Sequence, residues 1–416
     1  MDATTTGRRL SERGILLVVG AVQFVNILDF MMIAPLGPRL SVAVGMPESH
    51  LAYAVAAYTF AAALSGVVGS LFLDRFDRRP ALAVALLGLA LGTAAGGIAT
   101  SFEELMAARV LAGIFGGPAT SLAIAIVSDV IPVERRGRAM GAVMGAFAAA
   151  SVLGVPTGIA LAEIGGWHLP FFAVGGMGLA VVVAVIVLLP PLRGHLVGAT
   201  REHGAVQQLR ALGRMLERPI VLSSYAMTFT VNAGAFILLP NIATFAQNNL
   251  GLPEAQLKWL YLAGGIVSFF VTRATGRQVD RLGATKVATV GSLGFATITW
   301  LGFARTDLLP FETALLPCMF GLFIAFMFTN GVRNVAYSTL TTRVPAPEER
   351  ARFMSLQSAV QHLAAASGAS ISAKILETTA DHQLVGMATV AWVSVAFAMV
   401  LPLLVRNVER QVQPHG

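Results

Sequence analysis

From residue 14 onward the chain passes through apolar runs of about the length that crosses a lipid bilayer, roughly 20 residues each, with a short arginine-bearing segment after every second one. The runs fall at approximately 14–38, 51–72, 80–100, 104–128, 139–161 and 170–190, and then at 219–240, 256–276, 286–304, 309–337, 353–375 and 385–405. Lipid cannot satisfy the backbone of an irregular segment, so runs of this kind must be helices. The fold class read from the sequence is all-α integral membrane. Composition agrees: 56% of the 416 residues are hydrophobic and 12% are charged, about half the charge of a soluble domain. The mean hydropathy is +0.73. The single cysteine, Cys318, excludes an intrachain disulfide and a cysteine-based metal or redox framework.

The basic residues test the span count, because Lys and Arg collect on the cytoplasmic side of a membrane protein. With the N-terminus inside, the cytoplasmic segments hold Arg8, Arg9 and Arg13; Arg75, Arg78 and Arg79; Arg135, Arg136 and Arg138; and the basic residues of 191–218. They continue with Arg273, Arg277, Arg281 and Lys286, then Arg343, Arg350 and Arg352, then Arg406 and Arg410. Only Arg39, Lys258, Arg305 and Lys374 fall on the other side. Miscounting by one span would scramble this alternation, so twelve transmembrane helices with both termini cytoplasmic are expected. The net charge of +7 is thereby a topology signal, and no nucleic-acid partner is expected. The first run is too long for a signal peptide and ends in Pro35-Leu36-Gly37-Pro38, without a small-residue cleavage site, so it reads as a retained helix.

The longest polar stretch divides the spans six and six. The expected organisation is an N-terminal six-helix bundle over 1–190, a cytoplasmic linker over 191–218 and a C-terminal six-helix bundle over 219–416. In the linker Val206, Leu209, Leu212, Met215 and Leu216 recur at helical spacing, with Arg210, Arg214 and Arg218 elsewhere on the cylinder, the pattern of an interfacial amphipathic helix. The bundles share short motifs. Glu134-Arg135-Arg136-Gly137-Arg138-Ala139-Met140 matches Glu348-Glu349-Arg350-Ala351-Arg352-Phe353-Met354, each between the fourth and fifth span of its half. Gly69 and Asp74-Arg75 find an echo in Gly276 and Asp280-Arg281, between the second and third. Duplicated halves are the architecture of transporters that rock around a midplane site.

The segment Gly69 through Asp74-Arg75, Arg78 and Arg79 resembles the loop signature of the major facilitator superfamily, departing at Asp77, where that family usually has glycine. Arg109 with Gly113 is similar to its fourth-helix signature. Gly145, Gly154, Pro156 and Gly158, followed by Gly166-Trp167-His168, resemble the fifth-helix antiporter signature of the branch that includes twelve-span drug and sugar efflux proteins. The resemblance covers the whole chain. It implies two pseudo-symmetric six-helix bundles (the major facilitator fold) and a multi-pass location in the cell (inner) membrane. It also implies a cytoplasmic gate in which the carboxylate of Asp74 faces the start of the eleventh helix and Arg78 pairs with Asp129. A carboxylate at that helix N-terminus would meet about half a positive charge. A bland alternative for Gly145, Gly154, Pro156 and Gly158 is close helix packing.

Among polar residues within the spans, Asp29 is the prime candidate for proton coupling. It lies near the midplane, where an ionised carboxylate costs about 2.5 kcal/mol or more and is functional by default. Asn26, one turn away, can hydrogen-bond either protonation state. The competing reading is a structural Asp neutralised by Arg109, itself a cavity candidate. His362 is a second possible proton site or a packing residue. Asn232, with Tyr225 and Thr228, shares one face of the seventh span, and Gln357 and Gln361 share one face of the eleventh. With Met31, Met32 and Met227 they suggest a cavity with adaptable apolar walls, or interhelical glue. Arg333 is read as snorkelling to the interface.

The function expected is a proton-coupled exporter of a small organic molecule such as a drug or sugar, acting as a monomer by alternating access in membrane lipid. A facilitator or symporter is the alternative within the fold. No cofactor is expected. A membrane-embedded enzyme finds no support, since there is no His-Glu-x-x-His, no paired intramembrane carboxylates and no phosphate-binding glycine loop.

Overall fold

A computed structural model describes residues 11–132, 149–192, 212–345 and 349–412, together with isolated positions between 133 and 148. It is nearly all helix. The principal helices are α1 (Glu12–Met32), α2 (Gly37–Val44), α3 (Leu51–Phe72), α4 (Arg78–Gly96), α5 (Phe102–Val130), α6 (Val155–Gly165) and α7 (His168–Leu188). There follow α8 (Pro219–Phe236), α9 (Glu254–Leu282), α10 (Ala284–Thr299), α11 (Phe311–Thr341), α12 (Arg350–Ile375) and α13 (Met387–Val412). A two-stranded hairpin, β1 (Glu377–Thr378) and β2 (Leu384–Val385), joins α12 to α13.

Among the described residues ten helices are long and apolar enough to cross a membrane, and 150–165 adds a shorter apolar one. The ten correspond to every expected run except the fifth, of which the structure describes the second part, and the eleventh. Helix α12 covers the eleventh run with 26 residues, but Gln357, Gln361, His362 and its serines make it too polar to pass on composition. The arrangement is consistent with twelve spans. Boundaries move: the first run breaks after Met32, and α2 is a separate short helix. Of the linker helix, Leu212, Met215 and Leu216 are helical and Met215 is buried, while Val206, Leu209 and Arg210 lie outside the described residues.

Local chemistry explains where helices begin. Ser11 caps α1, and Ser101 caps α5. Asp77 caps α4 by accepting the Arg79 N–H at 3.0 Å, which explains why a carboxylate works where the family signature has glycine. At the repeated position Gly283 has φ +86°, so no side chain is offered locally. There the carboxylate comes from the last helix: Glu409 accepts the N–H groups of Ala284 at 2.7 Å and Thr285 at 3.0 Å. The two repeats satisfy one need, the orphan N–H groups of a helix start, by different routes.

The core is divided by depth. One cluster joins residues of α1–α7, and Ala369 and Ala373 near the end of α12 pack into it. Conversely, Val155 and Ile159 of α6 join a cluster made by C-terminal helices. Phe353, at the other end of α12, packs with Met215, Tyr225 and Tyr337 instead. The N-terminal and C-terminal helices therefore interlock at the arginine-poor end of the molecule.

Candidate functional site

Asp29 and Arg109 meet in the interior of the N-terminal helices. Arg109 of α5 donates from Nη1 to Asp29 Oδ1 of α1 at 2.9 Å, and Thr93 of α4 donates its hydroxyl to the same oxygen at 2.7 Å. Both charged side chains are sealed off, at 0% and 1% exposure. The guanidinium also lies over the ring of Tyr58, 4.5 Å from its centroid. Tyr58 of α3 donates its hydroxyl to Asn26 Oδ1 at 2.7 Å, and the Asn26 amide donates to the Gly116 carbonyl at 2.8 Å and Thr120 Oγ1 at 3.0 Å. Four helices thus close one polar network around a charge pair that is neutral as a whole.

The network needs close backbones. A Cβ on Gly113 would stand 2.3 Å from the Tyr58 carbonyl oxygen, and one on Gly116 would stand 2.6 Å from the Tyr58 hydroxyl. These glycines are what let Tyr58 sit between Asn26 and Arg109. One oxygen of Asp29, Oδ2, and the Nε of Arg109 have no hydrogen-bond partner among the described residues. The carboxylate therefore keeps an open acceptor, the atom at which a proton could be added without first breaking the Arg109 bond.

A second polar group lies among the C-terminal helices. Asn232 of α8 donates to the Thr228 carbonyl at 2.8 Å and to the Tyr337 hydroxyl at 3.4 Å, and Gln361 of α12 donates to the same hydroxyl at 3.1 Å. Tyr337 of α11 is the hub. Gln357 is buried with its Oε1 unpaired among the described residues. Tyr225 donates to the Phe353 carbonyl at 3.1 Å and stacks on that ring, an anchoring role rather than a cavity one. His362 has its Nδ1 3.0 Å from the Ser358 carbonyl in its own helix and is half-buried. None of the described hydrogen bonds joins Asp29 or Asn26 to Asn232, Gln357 or Gln361. What crosses between them is aromatic: Phe30, beside Asp29, packs on Tyr58 at 5.6 Å and on Phe236 of α8 at 5.4 Å.

Arg333 corrects the sequence reading. It does not snorkel; its side chain is wholly buried, with the guanidinium 4.0 Å above the Phe295 ring and no hydrogen-bond partner among the described residues. Gly234 and Gly291 make its room: a Cβ on either would come within 3.7 Å or 3.3 Å of it.

At the arginine-rich end, Arg78 Nε reaches Asp129 Oδ2 at 3.2 Å. Arg75 is exposed, Gly69 is buried with a would-be Cβ 3.0 Å from the tip of the Leu73 side chain, and the side chain of Asp74 lies outside the described residues. The other ion pairs described there, Arg135–Glu12, Arg218–Glu349 and Arg343–Asp280, each stay within one set of helices. At the arginine-poor end three described pairs cross between sets, while Arg305–Asp307 stays within one loop. Arg39 binds Glu254 and the Ala162 carbonyl, Lys258 binds Glu163 at 2.5 Å, and His382 binds Glu48 at 2.8 Å. Gly265 of α9 lies so close to α6's lead-in, a π-helical turn over 150–154, that a Cβ would stand 2.8 Å from the Ser151 carbonyl oxygen. A Cβ on Gly154 would stand 2.6 Å from a side-chain methyl of Leu28 on α1, and Pro156 lies in the first turn of α6. Gly145 is exposed, and Gly158 has nothing within 4 Å of its would-be Cβ.

Sequence reading missed Tyr58, Thr93, Thr120 and Tyr337. The chain has only five tyrosines, and a buried tyrosine hydroxyl needs a partner; asking which partners the spans offered was the available signal. Among the described residues no cluster of three His, Cys, Asp or Glu is placed to hold a metal ion.

Comparison with known proteins fits this geometry. The chain is 25% identical over 86% of its length, and 88% of the relative's, to the uncharacterized MFS-type transporter YceJ of Bacillus subtilis. It is 24% identical over 90% of its length, and 89% of the relative's, to the purine ribonucleoside efflux pump NepI of Escherichia coli. The solved structure of a D-xylose–proton symporter superposes with a TM-score of 0.75 at 18% identity, covering 97% of this chain and 99% of that one. The family model described as Major Facilitator Superfamily matches residues 19–369 and 224–415. The chain is a multi-pass membrane protein that belongs to the Major Facilitator Superfamily, a family of transporters rather than enzymes.

Proposed function

We propose that this protein is a proton-coupled exporter of a small organic molecule, of drug, sugar or nucleoside size, working by alternating access between an N-terminal bundle (1–190) and a C-terminal bundle (219–416). In this reading both termini and the arginine-rich end face the cytoplasm, and the transporter works as a monomer in the cell membrane. The single observation that carries the reading is the buried Asp29–Arg109 pair. A carboxylate held by one guanidinium and one hydroxyl, with a second oxygen open, is a group whose hold on that guanidinium a proton can weaken. The functional name of the NepI relative supports export and a polar substrate.

The cycle follows from the charges. Facing outward, Asp29 takes a proton, which weakens its hold on Arg109 and frees the guanidinium to turn toward other partners. Facing inward, substrate captured from the cytoplasm between Arg109 and the Asn232–Tyr337–Gln361 group favours release of the proton. The cross-bundle pairs at the arginine-poor end support assignment of the present conformation as closed to the outside. Arg78–Asp129, within the N-terminal bundle, readies Arg78's loop for the opposite state, in which Asp74 would meet the start of α12.

The test is substrate-dependent proton movement in proteoliposomes carrying a pH-sensitive dye, screened with drugs, sugars and purine nucleosides. Proton flux opposite in direction to substrate, lost in Asp29→Asn, supports the proposal. Substrate crossing with no proton flux would replace it with facilitated diffusion, the reading favoured if the sealed Asp29–Arg109 pair never opens.

A further inference from the structure

We propose that Glu48 and His382 form a proton-responsive latch across the outer seam, a second titratable site distinct from Asp29 that ties external acidity to closure of the outer end. The inference rests on the alternating-access reading above. The hairpin β1–β2 carries His382 at its tip. Its own hydrogen bonds shape the tip, with His382 N–H donating to the Thr379 carbonyl and Thr379 N–H to the Gln383 carbonyl. Two asparagines after α8 hold it in place: Asn248 donates to the His382 carbonyl at 2.8 Å, while Asn249 both donates to and accepts from the Leu384 backbone, at 2.9 Å and 3.0 Å. His382 is the one described non-glycine residue with positive φ, at +60°. Histidine is among the few side chains that take up this conformation with any frequency, mostly in turns.

Across the seam stands Glu48, just before α3, only 3% exposed although it is a carboxylate. Its described partners are the Ser41 hydroxyl at 3.2 Å and His382 Nδ1 at 2.8 Å on the same oxygen. Beside it, the Ser49 N–H donates to the Thr378 hydroxyl at 3.1 Å, so hairpin and α3 start are docked at two adjacent points. The other titratable groups on the packed elements are His50, Asp381, Glu377, Lys374 and Arg39 of α2, which is taken up by Glu254 and the Ala162 carbonyl. None of them forms a described ion pair with Glu48 or His382; His50 instead packs on Tyr53 and Phe102.

The asymmetry of exposure makes the pair a sensor. Glu48 is buried, whereas the His382 side chain is 65% exposed. With Glu48 ionised, Nδ1 carries the hydrogen of this bond, and a second proton arriving at the ring from outside water adds a full charge without disturbing it. Histidine is the side chain that ordinarily changes charge between about pH 5 and 8. The added charge meets Glu48 only while the latch is shut, so by linkage protons favour the shut form and that advantage is lost as external pH rises. In an exporter driven by inward proton movement, external acid would then both load Asp29 and shut the outer end behind it.

The experiment uses full-length protein in nanodiscs with Cys318→Ser and spin labels at Ile98→Cys and Leu308→Cys, exposed positions at the outer ends of the two bundles. Asp29→Asn is present throughout to remove that group's own titration. Inter-label distances are read at about pH 5.5 and about pH 8.5, on either side of the histidine range. The expected result is a long-distance, outward-open population that grows about 1.4-fold to fivefold relative to the short one at high pH, the range of an exposed ion pair. That dependence should vanish in His382→Asn, which tolerates the left-handed backbone, and in Glu48→Gln. His382→Lys, a permanent cation, should stay shut at both pH values. A pH dependence unchanged in His382→Asn, or His382→Lys opening with pH as the parent does, would overturn the latch while leaving alternating access standing. Distances that respond to neither pH, mutation nor added nucleoside would overturn both.

Discussion

Removing the charge of Asp29 should expose what the pair contributes to stability apart from transport. Asp29→Asn leaves the Arg109 guanidinium buried at 1% exposure without a counter-charge, and a broken buried pair costs about 3–5 kcal/mol. The Asn amide oxygen can still accept from Thr93 or Arg109, which returns about 1 kcal/mol, so the expected loss is roughly 2–4 kcal/mol. Arg109→Met leaves the opposite orphan, a carboxylate, and this one can neutralise itself by taking up a proton. Its loss should therefore shrink as pH falls, whereas that of Asp29→Asn should not, because a guanidinium stays charged. The double variant Asp29→Asn/Arg109→Met should recover most of the stability, since replacing both partners of a buried pair is often close to neutral. The assay is unfolding of detergent-purified protein between about pH 5 and 8, read as a double-mutant cycle. Additive single losses, or an Asp29→Asn protein as stable as the parent, would refute the reasoning.

Three further perturbations follow from particular contacts. Gly265→Val puts methyl groups where even a Cβ would stand 2.8 Å from the Ser151 carbonyl; it should destabilise closure at the arginine-poor end and raise labelling of a cysteine placed at Ile159, which is buried against the C-terminal helices. Tyr337→Phe removes the hydroxyl shared by Asn232 and Gln361; it should cost about 1–2 kcal/mol in unfolding assays and raise KM more than it lowers the maximal rate. Arg333→Met replaces a buried cation that has no partner among the described residues with an apolar side chain of similar length, so thermal stability should stay level or rise, and a loss above about 2 kcal/mol would mean that the Phe295 contact outweighs desolvation.

How much of this was legible in the sequence depends on which force places each feature. Spans were legible because lipid demands long apolar helices, and their alternation because arginine marks one face. The exception is instructive: α12 is long enough but carries Gln357, Gln361 and His362, so its burial among other helices, not its hydropathy, keeps it in the bundle. The Asp29–Arg109 pairing was visible only as an alternative, since two charges on different runs say nothing of their distance until helices α1 and α5 are packed. Tyr58 and Tyr337 announced only that each needed a partner, and which partner, like the role of Thr93, was hidden for the same reason. Arg333 was misread because its nearness to a span end suggested snorkelling, whereas Gly234 and Gly291, far apart in sequence, had prepared an interior space for it. Asp77 looked like a departure from the loop signature, and its cap on α4 shows the same structural need met by a different residue.

The most direct test of the central claim is to measure substrate exchange and gradient-driven transport side by side in proteoliposomes bearing the parent or Asp29→Asn, once a substrate is found. If protonation of Asp29 is what loosens Arg109, the variant should keep counterflow of labelled substrate at equal pH and lose accumulation driven by a pH gradient. Accumulation that persists in Asp29→Asn would contradict the account.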